Sequence, residues 1–261
     1  TPDGRGRGLS ALADWFGGVP GKYPSFARNF LGCHGRSGGL GMSVAHEERT
    51  IAVTVPKDKS EVISSFIPAD FDVPTGREEE WRFTPLRRMK PLLTALPQND
   101  GATVEIDGDP AVIGVDAAQG PIQPGEWLCP VDVVSALAWA GAADTTLITI
   151  PPKTDLENPV TVTITGTSTS YQKLRVTIEH DSSATVVINH QGTGQHAENI
   201  EVEVGARSQL KLVVIQDWDR DAVHLGRIHS HVGRDATLTQ VVATFGGDLV
   251  RLVSTVDYDG P

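Results

Sequence analysis

The chain has 261 residues, 39% of them hydrophobic, with 27 Gly and 17 Pro, so it can bury a core but is interrupted too often for a mostly helical fold. Its 33 acidic against 22 basic side chains give a formal charge of -11 without a basic stripe, which argues against nucleic acid as a partner. The longest apolar stretch, Val131 to Ala143, is broken by Asp132 and Ser135 and falls short of the ~20 residues a bilayer span needs, so no membrane partner is expected either. Two cysteines, Cys33 and Cys129, cannot make a disulfide framework and stand in no CxxC spacing, which suits a reducing, cytoplasmic setting.

Composition changes sign at about Met42. Residues 1–41 hold 11 of the glycines and carry five Lys or Arg against two Asp, so they read as a non-native or disordered extension. Its stretch Leu9 to Phe16 contains Asp14 and is no secretory signal. From residue 42 to 143 the signals are mixed and partly helical. Arg77 to Phe83 follows Thr75-Gly76 and predicts a short helix ended by Pro85, and Leu86 to Leu93 a second apolar-basic piece closed by Pro91 and Pro97. The Gly/Pro/Asp-rich stretch Asn99 to Pro124 reads as irregular, and Val131 to Ala140 has near-helical apolar spacing ending at Gly141.

Beyond Thr145 the period falls to two, and Thr161–Ile164, Leu174–Ile178, Ile200–Val204, Leu238–Val242 and Leu249–Tyr258 read as strands. A turn recurs at Asp181-Ser-Ser-Ala184-Thr185-Val186, Gly205-Ala-Arg-Ser208-Gln209-Leu210 and Gly233-Arg-Asp-Ala236-Thr237-Leu238, at spacings of 24 and 28 residues. Such a repeat is expected of stacked solenoid coils, although an antiparallel sandwich with similar hairpin turns stays open on the residues alone. Residues 144–261 are thus expected to form a β-helix core that stops within the solenoid, its last coil leaving an apolar face bare.

Few side chains suggest chemistry. His224, His229 and His231 form the most suggestive group, since strand residues two apart share a face and two imidazoles there can hold a metal. The surrounding Gly and Glu pattern of a cupin site is missing, however, and edge-strand histidines are the simpler reading. Asp217, Asp219 and Asp221 open like a calcium loop but continue with Ala222 and Ile228 where Gly and Glu are required, leaving a solvated turn. An acidic β-helix enzyme acting on polysaccharides is the alternative that those carboxylates keep open. Cys129, between Leu128 and Pro130, lacks a basic neighbour and reads as buried rather than nucleophilic. Gly192-Thr193-Gly194 lacks the third glycine and following helix of a nucleotide loop. No catalytic, cofactor or metal residue is therefore assigned, and the chain is not expected to be an enzyme.

Arg77-Glu-Glu-Glu-Trp-Arg-Phe-Thr-Pro-Leu86, preceded by Pro74-Thr75, resembles a stretch near the start of SufD-type members of the SufB/SufD family. The segments Asn199–Leu212, Gln216–His224 and Gly246-Gly-Asp-Leu-Val-Arg251 are similar to the core that both branches share. The resemblance runs from about Met42 to Pro261 and implies a right-handed parallel β-helix. It also implies a scaffold role in iron–sulfur cluster assembly beside SufB and the ATPase SufC, with the cluster handled by the full complex. No cluster-ligating position carries over. The bulk of Trp81 and Phe83 points to packing.

Overall fold

The computed structural model describes residues 63–94, 101–110, 112–119 and 128–259; residues 1–41, expected to be an extension, lie outside them, Cys33 included. Two short pieces precede the strands: single 3-10 turns at Pro68–Asp70 and Glu79–Trp81, then helix α1, Leu86–Thr94. Strands β1 (Ala102–Asp107) and β2 (Gly114–Gln119) follow, and helix α2 (Val133–Gly141) leads into β3 (Asp144–Ile150). The chain then alternates between two sheets. In one sheet β4 (Val160–Gly166), β6 (Ser183–Gly192), β8 (Gln209–Trp218) and β10 (Thr237–Thr244) run side by side. In the other, β3 is followed by β5 (Ser170–Ile178), β7 (Gln195–Val204), β9 (Val223–Val232) and β11 (Leu249–Tyr258).

Every neighbouring pair within β3–β11 is parallel, which removes the antiparallel sandwich and leaves a two-sided β-solenoid of about four turns. Among the described residues only β1 on β4 and β2 on β3 pair antiparallel, at the start of the stack. Both were missed in the stretch read as irregular.

The register corrects the repeat. Ser183 pairs with Gln209 and Gln209 with Thr237, so the spacings are 26 and 28 rather than 24 and 28. The first copy was misaligned by two residues because a two-residue shift returns every side chain to the same face and keeps the apolar pattern intact. Residues in the left-handed region, Lys153, Asp181, Arg207 and Asp235, mark the true equivalents, one at the same corner of each coil. Serines tie those corners together: Ser182 Oγ donates to the Pro151 carbonyl at 2.8 Å and Ser208 Oγ to that of Glu179 at 2.6 Å. Each hydroxyl also accepts from the coil before it, from Thr154 N and Ser182 N.

The solenoid interior is largely aliphatic, built from residues such as Ile150, Val162, Ile188, Ile200, Leu212 and Ile228. A second core covers the outer face of the β5–β7–β9 sheet, where α2 and α1 bury Leu137, Val134, Met89 and Leu92 against Tyr171, Ala197 and Leu225. Asp132 starts α2 by accepting from Ser135 N at 2.7 Å, and Ser135 Oγ accepts from Asp132 N, a reciprocal cap. The two residues that seemed to break the apolar run therefore anchor its helix. Asn199 Nδ2 then holds α2 to β7 through the Ser135 carbonyl at 2.7 Å.

Helix α1 continues through Pro91, against the expectation that this residue would close it. An interior proline costs ~3 kcal/mol, but the turn carrying it buries Met89, Leu92 and Leu93, each worth ~1.5–3 kcal/mol. Arg77–Phe83 makes only the 3-10 turn Glu79–Trp81. Its would-be first turn is diverted because the Glu78 carboxylate folds back to accept from Thr75 N, Thr75 Oγ1 and Gly76 N, with Gly76 at φ 82°.

Candidate functional site

Inward positions in a β-solenoid fall at every second residue, and along most of each strand they are aliphatic. At one end they change character. Going along β6, Ile188 gives way to His190; along β8, Val214 gives way to Gln216 and Trp218. In the facing sheet Ile200 of β7 is preceded by Glu198 and His196, and Ile228 of β9 by Gly226 and His224. Stacking of coils brings these residues into adjacent rungs, with Ser170 beside His196, His196 beside His224 and His190 beside Gln216.

The Glu198 carboxylate lies at the centre and is 1% exposed. Its Oε1 accepts from His224 Nε2 at 3.0 Å and lies 2.9 Å from His190 Nε2, while Oε2 is 3.6 Å from His196 Nε2. His190 Nδ1 donates to the Ile215 carbonyl at 3.1 Å, and His196 Nδ1 shares a hydrogen bond of 2.7 Å with Ser170 Oγ. Trp218 roofs the group, its ring 5.6, 5.5 and 5.3 Å from those of His190, His196 and His224. On the opposite side Gly226 pairs with Glu198, and a Cβ there would come within 2.7 Å of Leu252 and 3.1 Å of His224 Nε2. The glycine thus lets Leu252 and His224 pack closely against this rung.

Burial opposes charge on all of these groups, and the partners decide which carry it. Burial disfavours the Glu198 carboxylate, but His190 and His224 beside it hold its pKa well below the ordinary range. For His190, burial is outweighed by the Glu198 charge and hydrogen bond, so its pKa rises. For His224 burial prevails and the pKa falls to about 4.

The residues singled out in the sequence fare differently. His224 belongs to this interior group, whereas His229 and His231, at odd spacing from it, lie on the outer face of β9. His229 meets Thr255 Oγ1 at 2.8 Å and Asp257 Oδ2 at 3.4 Å; His231 Nε2 is 3.6 Å from Asp259 Oδ1. Asp217, Asp219 and Asp221 sit exposed around the β8–β9 bend, and Asp221 accepts from Thr193 Oγ1 at 2.7 Å. Cys129 is half-buried and is not a free thiol. Gly192 and Gly194 take positive φ values of 85° and 100° to turn the corner between β6 and β7.

Phe83 corrects the packing expectation, being 90% exposed, while Trp81 is 2% exposed. The Arg251 guanidinium stacks 4.0 Å over the Trp81 ring, and Arg88 donates to the Asp248 carbonyl at 2.8 Å. The first and last of the segments carrying the resemblance, some 170 residues apart, therefore meet on the outside of the last described coil. The interior group was not recognised in the sequence. Its signal was available: one polar inward position after another at the same end of β6, β7, β8 and β9.

A parallel β-solenoid with a helical cover and a polar cluster at one end of its interior defines the class. Residues 161–261 match the SufBD core domain of SUF-system iron–sulfur cluster assembly. The chain is 38% identical over 210 residues to an iron–sulfur cluster assembly SufBD family protein of Mycobacterium bovis, covering 79% of this chain and 53% of that protein. A SufBD family protein of Mycobacterium tuberculosis is 37% identical over the same shares, and one of Mycobacterium leprae 33% identical over 78% of this chain and 53% of its own length. These matches place the chain in the SufB/SufD family. It spans about half the length of the curated relatives it matches.

Proposed function

We propose that the chain is a SufD-type, non-catalytic scaffold component of the cytoplasmic SUF machinery, acting with SufB and the ATPase SufC, with the iron–sulfur cluster as cargo of the whole complex. The observation that carries this reading is the SufBD-core match over residues 161–261, which falls on the solenoid coils themselves. The Glu-Glu-Trp segment favours the SufD branch over SufB, and its Trp81 docks on Arg251 within the matched region. No helix among the described residues is long and apolar enough to cross a membrane, in keeping with a cytoplasmic partner of an ATPase.

Co-expression of the complete reading frame with SufB and tagged SufC tests it. Recovery of all three in fixed stoichiometry is expected; a folded chain that never co-purifies contradicts the reading.

A further inference from the structure

The Glu198 group contains more ligating capacity than its own contacts use. His190 Nε2, His196 Nε2 and Glu198 Oε2 are all buried without a well-directed hydrogen bond, although each faces another member of the group at 2.9–3.6 Å. Buried polar atoms are normally satisfied, so several orphans converging on one point require an explanation. The His190 ring sharpens it. Because Nδ1 must donate to the Ile215 carbonyl, Nε2 in a neutral ring turns a lone pair toward a carboxylate oxygen. Only a proton or a cation between them makes that arrangement favourable.

One ligand atom from each of His190, Glu198 and His224 lies within 4.8 Å of the others. In a tetrahedral site with bonds of ~2.0–2.2 Å, ligand atoms stand ~3.3–3.6 Å apart, so small side-chain shifts bring the present group to that spacing. The donor set, two imidazoles and one carboxylate, suits divalent first-row ions of intermediate softness and not calcium or magnesium. The backbone carbonyl behind His190 is the kind of partner that fixes a ligating imidazole.

We propose that His190, Glu198 and His224 form a metal site inside the solenoid for a divalent transition ion of the ferrous or zinc class, against the expectation that this chain holds no metal. Trp218 closes the site on one side, and its burial makes exchange of a bound ion slow. The proposal goes beyond the scaffold role and stands on the geometry alone, so failure of co-purification with SufB and SufC leaves it untouched.

The test uses the complete natural chain, freed of metal by chelation and titrated with Co(II) without oxygen. Uptake of one equivalent is expected, with ligand-field absorption of low coordination number and quenching of tryptophan fluorescence that Trp218→Phe diminishes. Glu198→Gln and His224→Asn should each weaken uptake about tenfold or more, and His229→Asn on the outer face should leave it unchanged. Should the interior variants unfold, the wild-type complex decides: hyperfine-shifted protons from two imidazoles support the site, and their absence overturns it. Co(II) uptake that is absent, or that His229→Asn abolishes instead, also overturns it.

Discussion

The two ends of the solenoid interior are built on the same strands and follow opposite rules. Over Ile200, Val202 and Val204 in β7, and Val186 and Ile188 in β6, the interior is aliphatic and each side chain is fully buried. A few residues away on the same strands, His190, His196 and Glu198 are as deeply buried but leave polar atoms unsatisfied. An aliphatic interior stabilises by removing apolar surface from water. A buried ionic group offsets its desolvation only with complete pairing, which is missing here. The difference teaches that the aliphatic end holds the coils together, while the polar end contributes less to stability than apolar side chains in its place would.

Substitutions can break this comparison. The largest effect is expected from Glu198→Ala, which strands two imidazoles in the interior and should cost ~3–5 kcal/mol in urea unfolding. Ile200→Ala, in the aliphatic end, should cost ~2–5 kcal/mol through lost burial and a cavity. The triple change His190→Leu, Glu198→Met, His224→Leu sharpens the contrast, since replacing a whole buried ionic group by apolar side chains should be neutral or stabilise by ~1–4 kcal/mol. A large loss of stability in that variant would make the polar end structural. Ser208→Ala removes the hydroxyl shared by Glu179 O and Ser182 N and should cost ~1–3 kcal/mol.

The smallest effect lies outside the interior, at Glu78. Hydrogen bonds from the Thr75 side chain and from the Thr75 and Gly76 backbone lower its pKa from 4.5 to about 2. A carboxylate whose folded pKa is depressed stabilises above its unfolded value, and that contribution fades as pH falls from about 4.5 towards about 2. Solvent screening keeps it small. The stability advantage of the wild type over Glu78→Gln, followed by thermal unfolding at stepped pH, should therefore shrink across that window; an advantage independent of pH would contradict the clamp.

Much of the solenoid was legible because its strands alternate faithfully. Leu249–Tyr258 was read with the bounds that β11 has, and the turn repeat pointed to stacked coils. The same periodicity hid the true register, since a shift by two is invisible to a pattern of period two. Strands β1 and β2 escaped because they lie in a stretch dominated by Gly, Pro and Asp, and they are held by pairing to β4 and β3 rather than by their own pattern. The helix expected at Arg77–Phe83 failed on one side-chain contact, the Glu78 fold-back, which composition does not encode. The site was half visible. His224 was noticed, but it was grouped with neighbours in sequence, whereas its partners His190 and Glu198 are one coil away and become neighbours only through the parallel register.

The most direct test restores the complete gene to a host lacking its own SufD-type gene and measures cluster content of a reporter iron–sulfur protein. Wild type is expected to restore clusters, and Glu198→Gln, shown to be folded and equally abundant, to fall well short. Full restoration by Glu198→Gln would make the polar end dispensable, and no restoration by an abundant, folded wild-type chain would contradict a role in cluster assembly altogether.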